Sequence, residues 1–297
     1  MILNYILILI VVLVTLKTSY MPSFSITQQD CLSCHSDLTK NTVVHPDLAT
    51  TCDICHTSSG QEHPKPGVKG FSLSEKLPIL CFNCHSEIQA NADTLKLVHG
   101  PLRDTVSCIN CHNPHSSPEN RLLKHSAGEL CLNCHNKTIR TDSSIIINIG
   151  QVISRAKSVH SPVESGECTT CHNPHFSEKK YLLTGNFPDS QYVKGDIDRF
   201  ELCFMCHDAD LFSAKETESG TNFRNGIVNL HFIHINSNKG RNCTMCHDVH
   251  AAENMKLIRD KVKFGSWDMN IKFTENADGG ACLTACHSEK IYIRKNI

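Results

Sequence analysis

The hydrophobic residues of this chain form one long run at its start and only short groups after it. Residues 2–16 are almost entirely apolar. The run is shorter than the roughly 20 residues that span a bilayer as a helix, and it fits the apolar region of an export signal. No Lys or Arg precedes it and no clear small-residue cleavage site follows it. Residues 1–21 are therefore predicted to be a signal peptide or an N-terminal anchor, with a buried helix as the remaining alternative.

After this run, Gly and Pro interrupt the pattern too often for long regular elements. The apolar stretches at 145–153 and 227–235 are the only places where short strands are expected. Elsewhere the pattern favours short helices on or just after the cysteine motifs, joined by irregular chain. The predicted fold class is mainly α with extensive irregular coil and little or no β.

The 18 cysteines fall into nine motifs, and in each motif a histidine directly follows the second cysteine. Eight motifs are Cys-x-x-Cys-His, and the ninth has one extra residue between its cysteines. Numbered 1 to 9 in chain order, they are Cys31/Cys34/His35, Cys52/Cys55/His56, Cys81/Cys84/His85, Cys108/Cys111/His112, Cys131/Cys134/His135, Cys168/Cys171/His172, Cys203/Cys206/His207, Cys243/Cys246/His247 and Cys282/Cys286/His287.

Cys-x-x-Cys-His is the attachment signature of a c-type haem. The two thiols bind the two vinyl groups of the porphyrin, and the histidine becomes the proximal ligand of the iron. A zinc ribbon or a disulfide scaffold would also use many cysteines. Neither explains why a histidine follows every second cysteine. The sequence therefore predicts nine covalently attached haems.

Nine haems leave roughly 30 residues for each one, too few for an ordinary protein core around it. Hydrophobic residues make up 40% of the chain, and that share includes the cysteines. Porphyrin faces are expected to replace the missing apolar core. The chain without haem should therefore be largely unfolded, as small metal-dependent domains are without metal.

The motifs also form an internal repeat, in which a lone histidine precedes each pair of motifs and another follows the first motif of the pair. Residues 22–297 are predicted to be one nonahaem region. It consists of a lone haem at 31–35 followed by repeats at about 45–85, 99–135, 160–207 and 231–287. Below, these are called repeats 1 to 4.

Ten of the 19 histidines lie outside the motifs, enough to give each iron a sixth ligand. Eight occupy repeat positions and are predicted distal ligands: His45, His63, His99, His115, His160, His175, His234 and His250. His125 and His231 lie outside the repeat pattern and are candidates for the first haem. His115 follows His112 too closely to reach the opposite face of the same porphyrin, and Pro114 restricts the backbone between them. It should serve another haem.

The chain resembles multihaem c-type cytochromes with doubled CxxCH motifs, broadly the cytochrome c3 and c7 class. The resemblance rests on the paired motifs, on the two His-Asn-Pro-His segments that begin at His112 and His172, and on the lone histidine before each pair. It implies closely stacked bis-histidine haems, low reduction potentials, and electron transfer in the periplasm or at the cell surface. The isolated first motif, the longer ninth motif and Val249 in place of a proline depart from this pattern.

The expected function is an electron conduit rather than an enzyme. A multihaem reductase for nitrite, hydroxylamine or a sulfur oxyanion would need one haem with an open position, and the histidine supply leaves none unserved. A subunit of an extracellular cytochrome filament remains a further alternative.

Partners are expected to be redox proteins that donate and accept electrons, with a membrane quinol oxidase and an outer-membrane conduit as candidates. The homo-oligomeric state stays open. The net charge of −1 and the absence of a basic block give no support to nucleic-acid binding. The apolar start predicts an exported protein, periplasmic or at the cell surface, which contacts the membrane only if that segment is retained.

Overall fold

The computed structural model describes residues 31–49, 51–141 and 144–295. The predicted export segment, 1–21, lies outside these residues. Within them, no helix has the length and apolar character needed to cross a membrane.

Regular elements are short in the described part of the chain. The α-helices are α1 (Ile79–Phe82), α2 (Ser86–Thr94), α3 (Ala127–His135), α4 (Ile149–Arg155), α5 (Ser161–Glu164), α6 (Glu201–Phe204) and α7 (Leu230–Ile235). The strands are β1 (Val43–Val44), β2 (His56–Ser58), β3 (Phe71–Leu73), β4 (Leu97–Val98), β5 (Ser116–Ser117), β6 (Ile139–Arg140), β7 (Ile145–Ile146), β8 (Ser158–Val159), β9 (Phe176–Ser177), β10 (Arg224–Asn225), β11 (Val228–Asn229), β12 (Ala251–Ala252), β13 (Lys261–Phe264), β14 (Trp267–Asn276), β15 (Gly279–Thr284) and β16 (His287–Ile293). Single 3-10 turns lie at Ser36–Thr39, Pro46–Ala49, Gly100–Arg103, Ser107–Asn110, Asn120–Leu122, Cys168–Thr170, Lys180–Leu182, Ala209–Leu211, Cys243–Met245 and Met255–Leu257.

The prediction of a mainly α chain with little or no β was wrong. The strands pair into seven sheets within the described ranges. Six of these sheets have two strands of only two or three residues, too short to show an alternating pattern in the sequence. The predicted strand regions gave mixed results. Stretch 145–153 holds β7 and then α4, and stretch 227–235 holds β11 and then α7.

Three of the two-stranded sheets connect neighbouring repeats. The strand before the leading histidine of one repeat pairs antiparallel with the strand after the lone histidine of the next repeat. These sheets are β1–β5, β4–β9 and β8–β12. Ser116 and Ser117 of β5 are 2% exposed, so this junction is closely packed. Each repeat is therefore held to the next by backbone hydrogen bonds.

Strands β13–β16 form the largest sheet, an antiparallel meander at the C-terminal end of the chain. Strand β14 alternates buried and exposed positions, and Met269 and Ile271 are buried. This alternation is typical of a sheet with one covered face.

The apolar core is small and lies toward the C-terminus. Among the described residues, the buried hydrophobic side chains are Val193, Phe200, Phe212, Ile235, Met245, Ala251, Ala252, Met269, Ile271 and Tyr292. None precedes residue 193. The first two thirds of the described chain must therefore pack around something other than its own apolar side chains.

Candidate haem sites

Seven of the first eight motifs close into a single turn, in which the histidine N–H donates to the carbonyl of the first cysteine at 2.9–3.1 Å. In motif 5 the same residues lie in α3. The turn places the two cysteines and the histidine of a motif next to one another along the backbone. This is the local arrangement that thioether attachment and proximal ligation require.

The ninth motif has a different support. Its cysteines lie at the turn between β15 and β16, where Thr284 pairs with His287 and the register shifts between Cys282 and Thr284. The Cys286 N–H donates to Thr284 Oγ1 at 3.1 Å. The extra residue of this motif is therefore accommodated by a hairpin instead of a helical turn.

The motifs predict the same haem-binding role for all 18 cysteines, but these cysteines are not equally buried in the structure. The first cysteine of every motif is half-buried, and so is the second cysteine of motifs 2, 4, 6 and 8. The second cysteine of each odd-numbered motif is exposed: Cys34, Cys84, Cys134, Cys206 and Cys286.

This alternation follows from the chain that folds back onto the even-numbered motifs. There, a backbone N–H from a later segment donates to the carbonyl of the second cysteine at 2.8–2.9 Å, and the donors are Ser74, Lys124, Thr184 and Arg259. The odd-numbered motifs lie on surface turns and helices instead. A side chain that holds a cofactor is expected to be covered, so the exposure of these five thiols does not itself support haem binding. Their assignment rests on the motif and on the histidines described next, and it stays a prediction.

Each motif histidine faces one lone histidine across the chain. In order of motifs 1 to 9, the pairs are His35–His63, His56–His115, His85–His45, His112–His175, His135–His99, His172–His250, His207–His160, His247–His231 and His287–His234. Their ring centroids lie 6.0–6.4 Å apart. The sequence could not assign these pairs.

That separation is the one expected for two imidazoles on one metal ion. A metal–nitrogen bond of about 2.0–2.1 Å on each side, and roughly 1.1 Å from each nitrogen to its ring centre, place the centroids about 6.3 Å apart. Every motif thus combines two cysteines and its own imidazole with one opposing imidazole. This donor set fits a covalently bound haem with two axial histidines.

Backbone pairing of the repeats positions two opposing histidines at a time. The N–H of His45 donates to the carbonyl of His115 at 2.9 Å. His99 is bonded in the same way to His175 at 2.8 Å, and His160 to His250 at 2.9 Å. In each case one residue of the bonded pair faces the first motif of a repeat and the other faces the second.

In repeat 4 the short helix α7 holds the two opposing histidines that a two-stranded ribbon holds in the earlier repeats. His231 and His234 lie three residues apart on this helix, on neighbouring positions of one face. Asn229, which is fully buried, caps the helix by accepting from the Phe232 N–H at 3.2 Å. The ring of Phe223 contacts both histidines, at 5.2 and 5.7 Å. His231 was a sequence candidate for the first haem, but the structure places it against His247, and His63 against His35.

In each of repeats 2 to 4, the histidine of the first motif has a second partner, a backbone carbonyl, which the sequence analysis did not predict. Nδ1 of His112 and of His172 each lies 2.8 Å from a backbone carbonyl nine residues later, and Nδ1 of His247 lies 3.0 Å from one. A carbonyl only accepts, so Nδ1 carries the proton and Nε2 keeps its lone pair for a metal. The carbonyls belong to Arg121, Tyr181 and Lys256.

These three residues have φ of 57° to 59°, and the leucine after each has φ of 56° to 58°. Such left-handed backbone is costly for residues other than glycine. The equal spacing of the leucine pairs after the first motifs of repeats 2 and 3 was the available signal in the sequence.

Burial also favours ligation. It lowers the pKa of His99, His115, His175, His234 and His250 below the ordinary value. The pKa of His231 is lowered to about 3, mainly by burial and also by the neighbouring His247 and His234. These imidazoles are therefore neutral near pH 7, the form that binds a metal.

Consecutive motifs adjoin one another through their cysteines. A hydrogen bond between the thiols of Cys81 and Cys108 raises the pKa of Cys81 and lowers that of Cys108 to about 6. The same interaction joins motifs 5 and 6, motifs 7 and 8, and motifs 1 and 2. Electrostatic contacts between cysteines link motif 2 to 3, 4 to 5, 6 to 7 and 8 to 9.

His125 is exposed and faces no motif histidine within the described residues. The structure thus brings together nine of the ten histidines outside the motifs with the nine inside them.

Comparisons with known proteins agree with these sites. The family model of the doubled CXXCH motif matches residues 99–140 and 160–211. The chain is also similar to the multihaem cytochrome MtrA of Shewanella baltica (strain OS185), with 27% identity over 293 residues, covering 87% of this chain and 76% of that protein. The chain is a multihaem c-type cytochrome. The cytochrome binds haem covalently and transfers electrons, which confirms the function predicted from its sequence.

One glycine of the cytochrome allows a histidine to reach its place. A Cβ at Gly70 would lie 2.5 Å from Cβ and 3.0 Å from Nδ1 of His63. We expect Gly70→Ala to displace His63 from motif 1, because His63 also packs against Phe71 at 5.3 Å and has little room to move. Optical spectra of the oxidised variant should show about one high-spin iron in nine.

Gly100→Ala is the matched control for this change, since a Cβ at Gly100 meets nothing within 4 Å. It should leave the spectrum unchanged. A fully low-spin Gly70→Ala protein would show that the close contact with His63 does not control this site.

Proposed function

We propose that the cytochrome holds nine haems, each between two histidines, and passes electrons along them in the order of motifs 1 to 9. The observation that carries this proposal is the set of nine histidine pairs with centroids 6.0–6.4 Å apart. A bound haem supplies an iron that takes up and releases one electron. Two neutral imidazoles on that iron favour electron transfer over substrate binding, since no position is left open.

The order of the sites is supported by the cysteine contacts between consecutive motifs. At every step from motif 1 to motif 9, cysteines of the two consecutive motifs interact, through a side-chain hydrogen bond or through their charges. A single file of sites in chain order follows, with one end at Cys31 and the other at His287. Electrons enter at one end and leave at the other.

Neighbouring repeats are connected through their sites, because many of the opposing histidines come from a different repeat than the motif they face. His115 belongs to repeat 2 but faces motif 2 in repeat 1. His175 and His250 likewise reach back one repeat, and His63 of repeat 1 faces motif 1. The second motif of each repeat is instead faced by the leading histidine of the same repeat. Each repeat therefore completes a site in the preceding part of the chain.

We place this conduit outside the cytoplasm, in the periplasm or at the cell surface. The apolar run at residues 2–16 fits an export signal or anchor. Redox proteins at the two ends would donate and accept the electrons. Because every motif histidine is faced by a second histidine, the sites favour a conduit over a reductase.

The proposal is tested by intact mass and optical spectroscopy of the purified, exported protein. The mass should correspond to nine attached haems, and both redox states should be low-spin. The reduced protein should bind no carbon monoxide, since imidazoles occupy both axial positions. Fewer haems, or carbon monoxide binding at one of them, would contradict the proposal and favour a reductase.

A further inference from the structure

The third site differs from its neighbours in the orientation of its two imidazoles. In seven of the nine pairs the ring planes are 8° to 26° apart. The planes of His45 and His85 at motif 3 are 83° apart, close to perpendicular. Those of His234 and His287 at motif 9 are at an intermediate 55°.

The second nitrogen of His45 also has a different partner from those of its counterparts. The equivalent histidines of repeats 2 and 3 place Nδ1 against a backbone carbonyl of the paired repeat: His99 lies 2.8 Å from Pro174 O, and His160 lies 3.1 Å from Val249 O. Within the described residues, His45 makes no such bond to Pro114. Its Nδ1 instead lies 3.6 Å from Oδ2 of Asp47 and accepts from the Asp47 N–H at 3.4 Å.

The carboxylate is particular to the first repeat. His45 is followed two residues later by Asp47, whereas the residue two positions after His99 is Pro101 and that after His160 is Pro162. At 3.6 Å the contact is an ion-pair distance rather than a hydrogen bond. When Nε2 binds the iron, Nδ1 carries the proton and no longer accepts from the Asp47 N–H, and the carboxylate then attracts the Nδ1–H toward Asp47 and away from the carbonyl that its counterparts use.

We propose that Asp47 turns the imidazole of His45 and thereby gives the third haem site perpendicular axial ligands, unlike those of the adjacent sites. The proposal rests on the axial pairs of the proposed function. An imidazole donates π density into the iron d orbital perpendicular to its own plane. Two parallel rings act on the same orbital and separate it in energy from its partner, whereas perpendicular rings leave the two nearly equal.

Near-equal orbitals give the ferric iron a strongly anisotropic low-spin magnetic resonance signal, distinct from the rhombic signal of parallel ligands. Axial ligands and their second partners are the means by which a protein sets the properties of a haem. Asp47 thus makes one step early in the file electronically distinct.

Electron paramagnetic resonance of the fully oxidised nonahaem protein tests this inference. The wild-type spectrum should contain a strongly anisotropic low-spin component of about one iron in nine from site 3, apart from any intermediate component from site 9. In Asp47→Ala that component should be lost, and the rhombic component should gain one iron. Asp37→Ala is the matched control, since it removes a carboxylate near His115 without touching His45, and it should leave the anisotropic component unchanged.

An anisotropic component that persists in Asp47→Ala would overturn the role of Asp47. If that variant fails to load nine haems, the wild-type spectrum decides, because a purely rhombic low-spin spectrum would overturn the perpendicular site itself. In both cases all irons remain low-spin, and the proposed function stands. A high-spin signal in the wild type would contradict the axial pairs instead.

Discussion

Replacing His231 with alanine is expected to leave one iron of the nine without a sixth ligand. His231 faces His247 with ring centroids 6.4 Å apart, and Thr221 Oγ1 lies 2.9 Å from its Nδ1. In repeats 1 to 3 the histidine that faces the first motif comes from the following repeat, whereas in repeat 4 it comes from α7 of the same repeat. The nearest spare imidazole, His234, is already paired with His287. No other histidine of the described chain is positioned to take over.

The oxidised His231→Ala protein should therefore show about one high-spin iron in nine, and the reduced protein should bind one equivalent of carbon monoxide. His125→Ala is the control, since His125 is exposed and faces no motif histidine among the described residues. That protein should remain fully low-spin. Carbon monoxide binding by the His125 variant, or none by the His231 variant, would refute the assigned pairs.

This expectation depends on α7, which a sequence pattern could not reveal. The lone histidines of the earlier repeats stand out because they recur at fixed positions around each motif pair. His231 does not fit that pattern. It precedes the last motif pair as a second histidine beside His234, while His250 occupies the usual position after motif 8. Its role comes from the fold, because in repeat 4 a short helix positions both histidines that a two-stranded ribbon positions in the earlier repeats.

The cysteine motifs and the family were predictable because covalent attachment needs fixed residue types at fixed spacing. The β content was not. Val43 pairs with Ser117 and Val159 with Ala251, partners that are more than 70 residues apart in sequence. Two-residue strands carry no periodicity of their own, and they form because the repeats are drawn together around their sites. The ring orientation at His45 was also hidden, since it depends on a carboxylate meeting Nδ1 in space.

The unequal exposure of the cysteines could not be predicted from the sequence either, because it also depends on contacts between distant segments. Cys84 and Cys111 occupy the same place in motifs of the same spacing, yet Cys84 is exposed and Cys111 is half-buried. The difference comes from Lys124, whose N–H donates to the carbonyl of Cys111 from 13 residues further along the chain. A motif of five residues contains no information about such a later segment.

The haem-free chain is expected to be unfolded. Ordering one residue costs about 1–2 kcal/mol of backbone entropy, and a fully buried large apolar side chain contributes about 1.5–3 kcal/mol. No described residue before Val193 is a buried hydrophobic side chain, so this part of the chain cannot offset its own ordering. The covalently attached haems must supply the apolar surface that is missing.

Protein produced without haem attachment should therefore give the far-UV circular dichroism of an unfolded chain and no cooperative thermal transition. Limited proteolysis should cut first in residues 31–190, and any resistant fragment should contain β13–β16, where Met269, Ile271 and Tyr292 are buried. The haem-loaded protein under the same conditions is the control and should resist cleavage. A cooperative transition in the haem-free chain would mean that the polypeptide has a core of its own. The haems would then bind to a fold that forms without them.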